Sequence, residues 1–111
     1  MSSKGIAALA VPSKGPYATL TAAGTTQSDA AEMTADTVMV TAGSEDSGVL
    51  LRPLNARDEC IVCNGLNVQI NVYPRTSGQI NNAAANLPVI VPPFTAIRFR
   101  AVSVNMILAF A

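Results

Sequence analysis

The sequence has no histidine. That absence removes the commonest general base and the commonest metal ligand together. Tryptophan is also missing and aromatics make up 5% of the chain, so a core has to be assembled from Val, Ile, Leu, Met and Ala. Charge is scarce. Only 13% of residues are charged, and seven Lys plus Arg balance seven Asp plus Glu. No basic excess is available for a nucleic-acid backbone. Long apolar runs are missing as well. The run at residues 6–11 stops at Pro12, too short for a signal-peptide core, so no secretion signal is expected. Nothing elsewhere approaches a membrane span. These shortages point to a soluble chain made in the cytosol, with neither nucleic acid nor membrane as partner.

What is present is mostly small and apolar. Half of the 111 residues are hydrophobic, yet small aliphatic cores in single domains of this size are marginal. A chain with so little charge has weak colloidal protection unless a partner covers part of its surface. Self-association would supply the missing burial.

Cys60 and Cys63 form a C-x-x-C pair. Zinc needs four ligands, and no histidine is there to complete the set. A redox pair belongs at a helix start, whereas these cysteines sit in a strand-like run. Residues three apart on a strand point to opposite faces, so the expectation is two buried structural thiols. The carboxylates Asp29, Glu32, Asp36, Glu45, Asp46, Asp58 and Glu59 are spread through the sequence. They lack the alternating spacing of a calcium loop, and "SEDSG" reads as a solvated turn. No Ser, Thr or Lys has a base beside it. No catalytic residue, cofactor or metal is expected, and the chain is not read as an enzyme.

Residues 1–17 read as an extended arm, dense in Pro, Gly and Ser, which opposes regular structure. It is either a solvated terminus or a segment that orders on a neighbouring subunit. Ile6, Leu9 and Val11 are the candidate contacts in the second case. Residues 18–111 read as one β domain. Alternation is clear in "DTVMVTA", in "NVQINVY" (Val68, Ile70 and Val72 inward), and in "TAIRFRAV" (Ile97, Phe99 and Ala101 against Arg98 and Arg100). "CIVC" is apolar on both faces and precedes Asn64-Gly65, a two-residue hairpin signal. "LPVIVPPF" suits an edge strand. "TTQSDAAEM" is a loop, or one helical turn capped by Ser28. About seven or eight short strands, with turns roughly every ten residues, predict an all-β antiparallel sandwich or barrel.

The end of the domain raises a question of partners. In "VNMILAFA", Val104, Met106, Leu108 and Phe110 share one face, while Ile107 and Ala109 make the other apolar too. Such a strand is central in its sheet or packs on another subunit. Ile107 and Phe110 are the candidate subunit contacts, and Arg98 and Arg100 the candidate polar interface contacts. The bland stretch "SGQINNAAAN" reads as a compact structural connection, with a ligand-contacting loop as the rival.

Several short motifs occur in order: Gly48 to Pro53, Asn64-Gly65, Val72 to Pro74, Gly78, Ile80-Asn81 and Ala84 to Asn86. In this order they resemble a small β-domain of tailed-bacteriophage virion proteins. Such chains often carry a "GVRLP"-like strand, an Asn-Gly-type turn and then "L-x-VYP-x-x-G-x-x-IN-x-x-AAN". The likeness covers about residues 18–111. Two places depart from it: "VLLRP" replaces the usual order, and "NMILAFA" lacks an aromatic-polar ending. The resemblance implies a virion structural protein, made in the host cytoplasm and located on the capsid surface. It would be a decoration or cement protein, a homotrimer that bridges and stabilises the major capsid protein. A tail-fibre or baseplate module is the alternative within the virion, and a carbohydrate- or receptor-binding sandwich the alternative outside it.

Overall fold

The computed structural model describes residues 17–110. The expectations placed on Ile6, Leu9 and Val11 therefore lie outside the described residues. Ten strands follow one another, more than the sequence suggests, because two of them are only two residues long. β1 (Tyr17–Thr21), β3 (Thr37–Ala42), β5 (Glu59–Asn64), β7 (Gln79–Ile80), β9 (Ala96–Ser103) and β10 (Met106–Phe110) form one sheet, in the order β1-β3-β5-β9-β10-β7. β2 (Ala31–Glu32), β4 (Gly48–Leu50), β6 (Ile70–Tyr73) and β8 (Val89–Val91) form a four-stranded sheet in that order.

The chain is all-β in two sheets, but the antiparallel expectation is corrected. From β1 to β6 successive strands alternate between the sheets. β1, β3 and β5 therefore stack parallel in one sheet, and β2, β4 and β6 stack parallel in the other. This is a solenoid-like winding. Parallel neighbours need a long crossover, and here the crossover is the strand of the opposite sheet. Antiparallel pairing enters where β9 returns against β5, β10 against β9 and β8 against β6. The Asn64-Gly65 hairpin does not form, since β5 and β6 belong to different sheets. Period-two alternation reports which face is buried but not which way the neighbour runs, so the sequence pattern fits both topologies.

The alternating apolar residues meet between the sheets. Val38, Val40, Cys60, Val62, Phe99 and Ala101 come from the larger sheet, and Val49, Leu51, Ile70, Val72 and Val91 from the smaller sheet or its flank, all fully buried. Each such side chain is worth about 1.5–3 kcal/mol relative to exposure. Val68, expected inward with Ile70 and Val72, lies before β6 and is half-buried. β8 takes the edge that its flanking prolines imply.

Asn64 ties the sheets together. Its buried amide nitrogen donates to the carbonyls of Val68, Val91 and Pro92, at 2.8, 3.1 and 3.1 Å. Its side-chain oxygen accepts from the backbone N–H of Leu66 at 3.0 Å. The polar stretch before β8 is likewise bonded into the fold. Asn81 sits at φ 54° and exchanges two hydrogen bonds with Ala109, so its side chain prolongs the β7–β10 ladder. Asn86, at φ 71°, accepts from Ser77 N–H at 2.7 Å and from Gln27 Nε2 at 3.1 Å. Asparagine tolerates the left-handed region and bonds locally to the backbone, so these residues serve a structural connection.

Candidate interaction surface

The two sheets present different outer surfaces. Across the four-stranded sheet lies the segment that follows β1. Of the two expectations for this stretch, the helical turn forms, as a 3-10 turn at Gln27–Asp29, but Asp29, rather than Ser28, organises it. The Asp29 carboxylate accepts from Thr25 N–H, Thr26 N–H and the Thr26 hydroxyl at 3.1, 2.8 and 2.8 Å. Those bonds to Thr26 hold its pKa below the ordinary 3.8. Gln27 Nε2 donates to Pro74 O at 2.6 Å, and the Tyr73 hydroxyl donates to Thr25 O at 3.0 Å. Gly48 lies beneath: a Cβ there would stand 3.0 Å from both Ala30 Cβ and the Tyr73 ring. The segment therefore packs down on the sheet because position 48 has no side chain.

None of the described residues forms such a cover on the six-stranded sheet. Strand register aligns Tyr17, Thr37, Ile61, Arg98 and Phe110 in one row across five strands. At sheet spacing the row spans roughly 19 Å. Thr19, Met39, Cys63 and Ala96 form the adjacent row, and Glu59, Arg100 and Leu108 the row on the other side. The Arg98 guanidinium lies 4.6 Å from the centre of the Phe110 ring, a cation–π contact. Arg100 Nη1 reaches Glu59 Oε2 at 2.5 Å. Tyr17 is 63% exposed and Leu108 43%. Val102 and Val104, at the β9–β10 corner, are exposed as well.

Among the residues singled out from the sequence, Arg98, Arg100 and Phe110 share this face. Ile107 does not. It is 4% exposed and belongs to the core, because its register with β9 sets it beside Ala101 on the inward face. Its own chain covers the surface that a second subunit would have needed. Leu108 takes the outward place, and the parity that groups it with Phe110 was the signal for it. Tyr17 and Ile61 become visible as members of the row only once parallel register is known. Phe94 is 74% exposed at φ 54° and carries no periodic signal, since prolines precede it.

The cysteines occupy opposite sides of β5 and are not bonded to each other. Cys60 is buried, and burial pushes its thiol up to about 12. Cys63 lies on the outer face and is half-buried rather than buried, with its thiol also raised by burial.

A cleft of about 460 Å³ opens at one end of the exposed face, lined by Asp36, Arg52, Arg57, Asp58, Glu59 and Arg98 among others. Asp36 pairs with Arg52. Asp58 Oδ2 accepts from Asn55 N–H at 3.0 Å, and Glu59 is held by Arg100. The charges in the lining balance, so the cleft offers polar contacts without a net field. Among the described residues no group of three or more His, Cys, Asp or Glu could hold a metal ion, and no helix is long and apolar enough to cross a membrane.

No family model, no curated protein and no solved structure matches this chain.

Proposed function

We propose that the chain is a structural protein of a phage virion, a capsid decoration or cement protein that assembles as a trimer and bridges subunits of the major capsid protein. The observation that carries this reading is the outer face of the six-stranded sheet, which no other segment of the described residues covers. It sets Tyr17, Ile61, Leu108 and Phe110 among paired arginines on rigid strands. Aromatic, aliphatic and arginine side chains in that mixture are what protein interfaces enrich. The order of short motifs supports the virion setting, and the shortage of charge supports a chain that works in an assembly. A decoration protein acts by mass action: binding to the closed shell raises the free energy of opening it. Several weak sites per trimer multiply their effect, provided each buries on the order of 1,200 Å² in total.

The test is cosedimentation of the purified full chain with empty heads, alongside sedimentation of the protein alone. The reading expects a trimer that pellets with heads, and an Ile61→Asp variant that melts cooperatively yet stays in the supernatant. A wild-type protein that remains in the supernatant at saturating concentration rejects it. A tail-fibre or baseplate module would instead bind purified tails. One observation favours a carbohydrate-binding reading. Tyr17 and Phe94 expose their rings, whereas Tyr73 is buried and hydrogen-bonded. Binding to a glycan array that Phe94→Ala abolishes would select that reading.

A further inference from the structure

The described residues include five arginines and no lysine. Three of the five form ion pairs: Arg52 with Asp36, Arg75 with Glu32, and Arg100 with Glu59. Arg57 and Arg98 form none among the described residues, and both line the cleft at the end of the exposed face. The carboxylates around them are already engaged. Asp36 is taken by Arg52 and Glu59 by Arg100, while Asp58 Oδ2 accepts from Asn55 N–H at 3.0 Å. Counted alone, the lining is neutral. Arg100 stands beside it and neutralises Glu59, so four arginines face three carboxylates and one positive charge is left over.

Both unpaired guanidiniums are set in place by the fold. Arg98 lies over the Phe110 ring. A guanidinium that uses its face on an aromatic ring keeps the N–H fork along its edge for a planar acceptor. Arg57 is fixed through its backbone. Its N–H donates to Ala101 O at 2.7 Å, and Asp58 N–H donates to Asn55 O at 3.0 Å, which closes the turn. The turn puts Arg57 at φ 75°, a region that costs a long side chain stability and costs asparagine or glycine less. Among the described residues the other positions at positive φ carry Asn, Asp, Ser or Gly, with Phe94 the one further exception. Backbone strain of this kind collects at functional sites.

We propose that the cleft binds a carboxylate, taken by the guanidiniums of Arg57 and Arg98. Arginine forks match the paired oxygens of carboxylates and phosphates. The single surplus charge, with Asp58 in the lining, suits a monoanion and disfavours a phosphate dianion. The volume of about 460 Å³ falls within the roughly 300–1,000 Å³ of small-ligand sites, so it admits the group together with the atoms that carry it. A free organic acid and an acidic side chain on another protein offer the same chemistry. The inference does not rest on the virion reading.

Titration of the isotope-labelled full chain, followed by the NMR signals of the arginine side chains, tests it. The probe is a blocked glutamate, acetylated on its nitrogen and amidated on its main-chain carboxyl, and the neutral control is the same compound made from glutamine. The glutamate probe should shift the Arg57 and Arg98 signals saturably, and the glutamine control should not. Equal shifts with both, or shifts that never saturate, overturn the proposal. Tighter binding of inorganic phosphate overturns the carboxylate assignment. Arg57→Asn should weaken binding roughly five- to tenfold, while the urea midpoint stays level or rises because asparagine relieves the backbone. Arg98→Gln should weaken binding to the same extent. Unchanged binding in both variants overturns the proposal. Arg75→Gln removes a charge beside the four-stranded sheet and should leave binding as it is; an equal loss there would reduce the effect to overall charge and overturn the site. Acetate and a blocked alanine peptide with one central glutamate separate the two sources. Equal affinity assigns a free acid, and tighter binding of the peptide assigns a protein side chain.

Discussion

The two sheets share one core but differ in what lies outside them. The four-stranded sheet is dressed by its own chain: the Gln27–Asp29 turn packs over Gly48, Tyr73 bonds to Thr25, and Gln27 bonds to Pro74. An ion pair, Arg75 to Glu32 at 2.7 Å, closes its margin. The six-stranded sheet carries a row from Tyr17 to Phe110 with no segment of the described chain across it. The dressed side has spent its specific contacts on folding. The bare side holds side chains whose contribution to the isolated fold is small, and which are therefore free to be used on something else. Stability and association should thus be separable by mutation, one on each side.

The largest expected effect is at the joint between the sheets. Asn64→Ala removes three donated hydrogen bonds and one accepted bond from a buried position. Buried groups left without partners cost about 1–3 kcal/mol each, and relaxation will recover part of that. A loss of about 2–4 kcal/mol in urea unfolding is expected; a loss under about 1 kcal/mol would mean the sheets are not tied there. Next comes the dressing itself. Gly48→Val forces a side chain against Ala30, Tyr73 and the Ala23 carbonyl. Overpacking of this kind costs about 1–3 kcal/mol. Proteolysis should then open the segment before β3 while β9 and β10 stay intact. A variant as stable as the parent would show that the cover is incidental.

How far the sequence could be read follows the same division. Alternation placed Val38, Val40, Phe99 and Ala101 in the core, and set Arg98 and Arg100 outside, because burial on one face of a strand writes itself into period two. The edge position of β8 was legible from its prolines. The winding was not. Asn64-Gly65 has the composition of a hairpin turn, yet two of the carbonyls that hold Asn64 inside belong to Val91 and Pro92, 27 and 28 residues later in the chain, contacts no local window contains. Ile107 and Leu108 show the same limit. Parity groups Leu108 with Phe110, but both faces of the strand are apolar, and only the register with β9, which sets Ile107 beside Ala101 and Leu108 beside Arg100, decides which one turns inward.

On the bare side the expected stability effect is smaller. Ile61→Ser and Leu108→Ser alter partly exposed positions with no packed segment above them, and substitutions away from special features fall within about 0.5 kcal/mol. The informative comparison is between two readouts of one variant. Urea midpoints should hardly move while sedimentation shifts toward smaller species. If both substitutions destabilise the isolated domain as much as Gly48→Val does, the contrast between a dressed and a bare sheet is wrong.

The smallest expected effect concerns the carboxylate that shapes the dressing. Asp29 is exposed, and its pKa lies below 3.8 because the N–H and hydroxyl of Thr26, with a further N–H from Thr25, favour the charged form. A group whose pKa is depressed by folding contributes stability above its unfolded value, and loses it as pH falls through the folded value. The contribution is therefore complete at neutral pH and fades below about pH 4. Asp29→Asn keeps an oxygen to accept those bonds but removes the charge and its titration. Urea midpoints measured down the acid limb should fall less steeply in the variant than in the parent, and the two curves should converge at the lowest pH. Parallel curves would mean that the Thr25 and Thr26 bonds do not discriminate between the charged and neutral carboxyl. The cover over Gly48 would then be held by packing against Ala30 and Tyr73 instead, with no electrostatic share.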